Sequence, residues 1–429
     1  MNYNRLSLII ILVIIILLPQ TIANHSNLSE TSKSNIPNNY LIEGVPYIAQ
    51  TQGYFCGYSC RAMILNHLGF ETTLEDILFY DGLGYTHFYQ YHEKLPEEGR
   101  YSDLNHVINL FGIEQNWSYL DPSNWDIYFN NLKENISNDM PVITRVDPFS
   151  MPSLRNQFKV NDFLWEKMFP PSRHLIVIIG YNEENHSICY NDPNAGFYGE
   201  GSYGDHAWID IEEYKKAVLT NSNGNILYST IKVIKNPVTK QDRFEFTFKQ
   251  NIVKLQGEYS EYHHFTHRPH GIIASKKMKN DLFEGENNRS ETIEMYKKYG
   301  DTGFNFTFIE LLHKLYSILT PKTPSVFDIY IIGYENHFES IANEKQIIAY
   351  YLEKSNIYQE LCKNQSNLLR EESELWEQMS NYYKIFLKKG IRISDLRAGF
   401  ILQGMEKTIN KIIQIEQRII DEGCQYIFS

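Results

Sequence analysis

Cys56 carries the clearest chemical signal in this sequence. It stands in the string Gln50-Thr-Gln-Gly-Tyr-Phe-Cys56-Gly57, and the residues after it have the apolar spacing of an amphipathic helix ending at Gly69. A thiol at a helix start faces free N–H groups and the positive end of the helix dipole, which lower its pKa. The amide of Gln50 can help to hold an oxyanion formed by attack of the thiolate. The string therefore predicts a cysteine nucleophile.

Two later residues could complete a catalytic site. Cysteine acyl transfer needs an imidazole that shares the thiol proton, and a carboxylate or amide that orients the imidazole. His174 begins an apolar run, and the following run ends in Asn191-Asp192-Pro193. Adjacent antiparallel strands would place the two ends side by side. Side chains alternate along a strand, so only one of Asn191 and Asp192 can face His174.

The elements that must position these residues fall into two regions. Up to about residue 236 the patterns predict mixed strands and helices, and beyond about residue 240 they predict long helices. We expect these segments: a strand at 41–49, a helix at 72–81 opened by a Thr72–Glu75 capping box, an aromatic loop at 82–89, helices at 102–111 and 123–135, strands at 141–146, 174–181, 187–193, 208–211 and 227–234, and helices at 343–389 and 395–422. The charged run Arg370-Glu-Glu372 predicts a solvated helix face.

The N-terminus predicts export. Arg5 precedes an apolar run from Leu6 to Leu18, and a small-residue cleavage site lies near Ala23. The run is shorter than the about 20 residues of a membrane span, and an uncleaved anchor with membrane association is the alternative to a cleaved signal. We therefore expect an extracellular or cell-surface protein with four parts: a signal peptide or anchor at 1–23, a polar linker at 24–40, an α+β domain at 41–236 and a helical domain at 240–429.

Composition and net charge exclude some classes of binding partner. The chain of 429 residues has a net charge of −12, which argues against nucleic acid or an anionic membrane surface as partner. Five cysteines leave at least one thiol unpaired in an oxidising compartment. A free Cys56 with up to two bridges among the other four cysteines, Cys362–Cys424 being one candidate, and a fully reduced set are both open. Four histidines between His263 and His270 lack a recognised metal spacing and indicate a polar loop, so we expect no metal and no cofactor.

The catalytic segments together resemble the papain-fold peptidases related to bacteriocin leader-processing (double-glycine) peptidases. The resemblance rests on the Gln50-to-Gly57 string, the strand from His174 and the Asn-Asp-Pro element, and it covers roughly residues 41–236. It implies that Gln50 is the oxyanion-hole residue, Cys56 the nucleophile and His174 the base. The family pattern favours Asp192 over Asn191 as the third member. The fold class that follows is α+β, a papain-like cysteine peptidase fold with an all-helical C-terminal domain.

A second resemblance concerns the acyl acceptor. The Cys56 helix with its Leu-Gly end, the segment Thr73-Leu-Glu-Asp-Ile77 and the segment Gly82–Phe88 are similar to the N-terminal domain of butirosin-biosynthesis protein H, an acyltransferase of the same fold. An exported protein is not expected to meet carrier-protein acyl donors. We therefore expect a hydrolase of peptide or amide substrates. Acyl transfer through the same residues and a catalytically inactive binding module are the alternatives.

Overall fold

A computed structural model describes residues 36–92, 95–100, 104–154, 173–198, 203–221, 224–234, 238–257, 271–284, 337–389 and 395–428. Residues 39–429 form one compact unit. The predicted signal or anchor at 1–23 and the four histidines of residues 263–270 lie outside the described residues. Within the described ranges, no helix combines the length and apolar character needed to cross a membrane.

Strands occur in the first half of the unit. They are β1 (Asn39–Leu41), β2 (His87–His92), β3 (Leu95–Arg100), β4 (Ile113–Leu120), β5 (Val142–Val146), β6 (His174–Asn182), β7 (Ser187–Asn191), β8 (Ala207–Asp210) and β9 (Ile226–Val233). The main sheet has the order β4-β9-β5-β6-β7-β8, and β1 also pairs with β6. All of these pairings are antiparallel. β2 and β3 form a separate hairpin.

Strand β6 lies in the middle of the sheet. It pairs with β5 on one side and β7 on the other, and most of its side chains are buried. An unbroken apolar run is what a strand covered on both faces requires, so the sequence predicted this position. Val177 pairs with Asn191, so β7 ends beside the first residues of β6. The hairpin thereby brings His174 and Asp192 to the same end of the sheet.

Helices pack around the sheet and fill the second half of the unit. They are α1 (Cys56–His67), α2 (Leu74–Asp81), α3 (Leu104–Asn109), α4 (Trp125–Ser137), α5 (Pro193–Tyr198), α6 (Ile211–Leu219), α7 (Lys240–Gln256), α8 (Gly271–Phe283), α9 (His337–Lys354), α10 (Gln359–Lys389) and α11 (Asp395–Phe428). α1 contacts β6, α2, α3 and α5, and every residue from Gly57 to Leu65 is buried. The helix is therefore buried around its whole circumference over these residues, whereas its spacing predicted an amphipathic helix.

Three local predictions were wrong in detail. The strand predicted at 41–49 ends at Leu41, because the chain turns through Gly44 with φ +75°. The capping box uses Thr73 and Asp76, one residue later than predicted: the Thr73 N–H donates to Asp76 Oδ2 at 2.8 Å, and the Asp76 N–H donates to Thr73 Oγ1 at 3.1 Å. The aromatic segment after Gly82 is not an irregular loop throughout, since β2 begins at His87.

The helical half contacts the sheet-bearing half through α2 and the turn after it. Lys254 Nζ donates to the Asp81 carbonyl at 2.8 Å, and Lys345 Nζ donates to the Gly84 carbonyl at 2.7 Å. Lysines at the C-terminus of a helix satisfy free carbonyls and complement the helix dipole. The predicted boundary at 236–240 lies between the end of β9 and the start of α7. That division into domains stays a prediction, because the two regions share these contacts.

The bundle encloses charged groups as well as an apolar core. Trp376, Met405 and Ile409 belong to that core. Glu372, predicted on a solvated face, is instead fully buried and pairs with buried Lys345 at 2.7 Å. The prediction was wrong because a charge run does not reveal which of its members turns inward. Burying both charges together avoids the high cost of an isolated one.

Candidate active site

Cys56 is the first residue of α1, as the sequence predicted. Its side chain is half-buried, and burial alone would raise the pKa of the thiol. A hydrogen bond and the positive charge of His174, together with the N–H groups of Leu175 and Gly57, outweigh burial and bring the Cys56 pKa below its usual value of 9.0. The thiolate is therefore stabilised by an imidazolium and by backbone donors of two elements, the helix start and strand β6.

His174 is the first residue of β6 and lies opposite Val146 of β5. Its Nε2 atom is 2.6 Å from Asp192 Oδ1, which leaves Nδ1 as the ring nitrogen that meets Cys56. Burial lowers the pKa of His174, but the charge and hydrogen bond of Asp192, and then those of Cys56, raise it to about 10. Both neighbours therefore favour the imidazolium form of His174, in which each ring nitrogen carries a proton.

Asp192 is fully buried and follows the last residue of β7. Burial raises the pKa of the carboxyl, but His174 and two further donors bring it below its usual value of 3.8. Those donors are Ser153 Oγ, 2.5 Å from Oδ2, and the N–H of Asn194, 2.9 Å from Oδ1. The carboxylate therefore stays ionised although no water reaches it.

The structure distinguishes Asp192 from its neighbour Asn191. Asn191 is also buried, but its Oδ1 accepts from the N–H of His206 at 2.8 Å. The N–H of Asp192 donates to the Gly204 carbonyl at 2.8 Å, and a Cβ at Gly204 would lie 2.4 Å from the Asp192 carbonyl oxygen. The backbones of Asp192 and Gly204 therefore lie in direct contact. Asp192, not Asn191, meets His174.

Gln50 lies beside this group, before α1 begins. The residue is 2% exposed, and its Nε2 donates to Asn194 Oδ1 at 2.9 Å. Its backbone N–H donates to the Pro193 carbonyl at 3.0 Å. An amide nitrogen carries two protons, and Asn194 accepts one of those of Gln50 Nε2 within the part of the chain that the structure describes. The structure thus places all four predicted site residues around the C-terminal end of β7, with Gln50 joined to Asp192 through Asn194.

Cys60 is one helical turn beyond Cys56, and its thiol is buried. The thiol donates to the Leu175 carbonyl at 3.3 Å, and burial raises its pKa well above the usual value. Cys60 therefore stays protonated and packs in the core beside Cys56. No two of the five cysteines, all of which lie in described segments, form a disulfide. The open Cys362–Cys424 pairing is thus not formed.

The sequence patterns did not identify Ser153 or Asn194 as site residues. Ser153 lies 39 positions before its partner Asp192, in a segment without a periodic pattern. Asn194 lies 144 positions after its partner Gln50. Its place two residues after Asp192 could have identified it, because a short turn keeps its backbone near that carboxylate. Ser153 gives no comparable signal. Among the described residues, no three acidic, histidine or cysteine side chains converge as a metal site would require.

The aromatic segment Tyr85–Tyr91 lies between Cys56 and His174 in the sequence. Its first residues pack in the interior: Tyr85 and His87 are buried. His87 Nε2 lies 3.0 Å from Ser275 Oγ and 3.2 Å from Glu416 Oε1, which places His87 in the helical half.

Comparison with known proteins agrees with this geometry. Residues 42–217 match the Peptidase_C39 like family. The match covers the sheet-bearing part of the chain and is consistent with a papain-like, C39-peptidase-like domain of α+β class, which the first resemblance predicted. No curated protein matches the sequence, and the similarity to butirosin-biosynthesis protein H gains no support from the family match.

Proposed function

We propose that the C39-like domain of residues 42–217 hydrolyses peptide bonds through an acyl-enzyme formed on Cys56. The observation that carries this proposal is the position of His174 between the Cys56 thiol and the Asp192 carboxylate. The His174 pKa is raised to about 10 while that of Cys56 is lowered. Opposite shifts of this kind favour a thiolate–imidazolium pair at neutral pH, the reactive form of a cysteine peptidase.

The proposed mechanism follows from the positions of the groups. Cys56 Sγ attacks the carbonyl carbon of the scissile peptide bond, and the developing oxyanion is held by Gln50 Nε2 and the Cys56 N–H. The Nδ1 proton of His174 passes to the leaving amine as the C–N bond breaks. Asp192 keeps the ring in place throughout. Water, deprotonated by the now neutral His174, then cleaves the thioester and frees the carboxylic product.

The decisive experiment traps the acyl-enzyme. The protein is incubated with a peptide mixture, quenched with acid and analysed by mass spectrometry for an acyl group on the Cys56 peptide. We expect an adduct on Cys56 and peptide cleavage in the wild type, and neither in Cys56→Ala. Cys424→Ser is the matched control, because Cys424 is a partly exposed thiol in α11, within the helical half. Retained cleavage in Cys56→Ala would exclude the proposal.

The same experiment separates hydrolysis from acyl transfer. Addition of a primary amine gives an amide product if the acyl-Cys56 intermediate reacts with amines faster than with water. We expect the free acid to dominate, because the matched family is a peptidase family. A protein that forms no adduct with any acyl donor would support the binding-module alternative.

We further propose that the protein is exported, on the basis of the apolar run Leu6–Leu18 and the small residues near Ala23. Expression of the full chain, followed by fractionation and N-terminal sequencing, tests this proposal. A mature N-terminus close to residue 24 in the extracellular fraction is expected for a cleaved signal, and membrane-bound full-length chain for an anchor. Full-length chain in the cytoplasm would refute export.

A further inference from the structure

The amide of Gln50 is fixed by one side chain, Asn194. Gln50 Nε2 donates to Asn194 Oδ1 at 2.9 Å, and both residues are buried. The other end of the amide, Gln50 Oε1, is buried without a hydrogen-bond partner among the described residues. The hydrogen bond to Asn194 therefore determines whether Nε2 or Oε1 of Gln50 lies on the side of Asn194. A rotated amide would present an oxygen where the mechanism needs a donor.

Asn194 is also attached to the carboxylate of the site. Its N–H donates to Asp192 Oδ1 at 2.9 Å, the same oxygen that lies 2.6 Å from His174 Nε2. A single residue thus bonds Gln50 through its side chain and Asp192 through its backbone. The same residue therefore holds both the oxyanion donor and the triad carboxylate in position.

The backbones around these residues are packed closely enough to keep the hydrogen-bonded arrangement of Gln50, Asn194 and Asp192 rigid. Tyr47 Oη donates to the Asp192 carbonyl at 3.0 Å and accepts from the Gly196 N–H at 2.9 Å. A Cβ at Gly196 would lie 2.5 Å from the Ala49 Cβ, so the two segments approach as closely as a glycine allows. Donors held in advance of the reaction stabilise an oxyanion without reorganisation.

We propose that Asn194 is a positioning residue that orients the Gln50 amide so that its second Nε2 proton faces the oxyanion. The inference rests on the proposed function and adds Asn194 to the residues that support it. Without Asn194 the Gln50 side chain regains rotational freedom, which lowers the fraction of molecules whose amide has the required orientation. Asn194 acts through Gln50 and does not touch the reacting atoms.

Two reagents separate this role from thiolate formation. Iodoacetamide alkylates a thiolate without forming an oxyanion, whereas p-nitrophenyl acetate must form one. In the second reaction Cys56 Sγ bonds the acetyl carbon, p-nitrophenolate leaves with the electron pair of the broken C–O bond, and water later hydrolyses the thioester. We expect Asn194→Ala to slow acetylation about 10-fold or more, since loss of one oxyanion donor costs about 10²–10³-fold. Alkylation of Cys56 should change less than about twofold.

A double-mutant cycle with Gln50→Ala tests the route of the effect. If Asn194 acts through Gln50, Asn194→Ala slows acetylation in the wild-type background and has no further effect in the Gln50→Ala background. Asn66→Ala is the matched control, because Asn66 is a hydrogen-bonded asparagine near the far end of α1, where its Nδ2 donates to the Ala62 carbonyl at 2.8 Å. Asn194→Ser, whose hydroxyl is too short to reach Gln50, replaces Asn194→Ala if the alanine variant does not fold.

The outcomes distinguish this inference from the proposed function. Equal slowing of acetylation and alkylation, or independent additive effects of Asn194→Ala and Gln50→Ala, would overturn the role of Asn194 while leaving the peptidase proposal intact. Failure of the proposed function has a different signature: wild-type Cys56 would then react with neither reagent faster than the partly exposed Cys424.

Discussion

Replacing Asp192 by Asn removes one negative charge from the site and leaves its shape unchanged. Asparagine keeps an oxygen acceptor for His174 Nε2 and for the Asn194 N–H, and Ser153 Oγ can turn to accept from the new amide. The variant therefore tests whether the charge of Asp192 maintains the imidazolium. The outcome is read at Cys56, because the thiolate depends on that imidazolium.

The expected size of the effect on Cys56 alkylation follows from the pKa of His174. Its rise from 6.5 to about 10 corresponds to about 5 kcal/mol in favour of the imidazolium. A paired opposite charge shifts a pKa by about 1–3 units, so the loss of Asp192, the foremost of the groups that raise this pKa, should cost about 2–3 kcal/mol. That amount lowers the thiolate–imidazolium population about 70-fold. A more basic thiolate is also more nucleophilic, with a Brønsted coefficient of about 0.4–0.5, so the alkylation rate should fall about 10-fold.

The assay measures iodoacetamide alkylation of the Cys56 peptide as a function of pH. In the wild type, alkylation should begin at a pH below the usual thiol pKa, since the Cys56 pKa is lowered. In Asp192→Asn the onset should move to higher pH, with a rate about 10-fold lower on the acidic side. Peptide hydrolysis should also be lost at lower pH on the alkaline side, because His174 must be protonated to serve as acid and its pKa falls from about 10 towards 6.5.

Asp205→Asn is the matched control. Asp205 also pairs with a histidine, with Oδ1 2.5 Å from His206 Nδ1, but both side chains are more than 40% exposed. Solvent screens such a pair, so its removal should leave the Cys56 titration unchanged. If Asp192→Asn and the wild type show alkylation beginning at the same pH, the charge of Asp192 does not maintain the imidazolium.

Three further predictions concern stability, measured by urea denaturation at neutral pH. Ser153→Ala removes a hydrogen bond to the buried carboxylate of Asp192 and should cost about 1.5–3 kcal/mol; a loss below the error of the measurement would contradict it. Gly196→Ala places a Cβ 2.5 Å from a neighbouring side-chain carbon and should cost about 1–3 kcal/mol, and wild-type stability would show that the two segments can separate freely. Lys345→Met leaves buried Glu372 without its cation and should cost about 3–5 kcal/mol, much of which Lys345→Met/Glu372→Leu should recover; equal stability of single and double variants would refute the ion-pair argument.

The sequence determined the elements that carry the chemistry. The spacing after Cys56 predicted α1, and the apolar run after His174 predicted a central strand; both are present at nearly the predicted residues. Such patterns are local, since a helix or strand repeats its buried positions every few residues. β4 was not predicted from the sequence, because it lies at the edge of the sheet and its burial pattern mixes buried, half-buried and exposed residues.

Only the tertiary structure decided how these elements meet. The direction of Asp192 depends on the register of β7 with β6. The bonds from Ser153 to Asp192 and from Gln50 to Asn194 join positions 39 and 144 residues apart. No local period encodes such distant pairs, because they form only when separate elements pack. The residue types at the site could thus be named from the sequence, whereas the hydrogen bonds that orient them come from the folded chain.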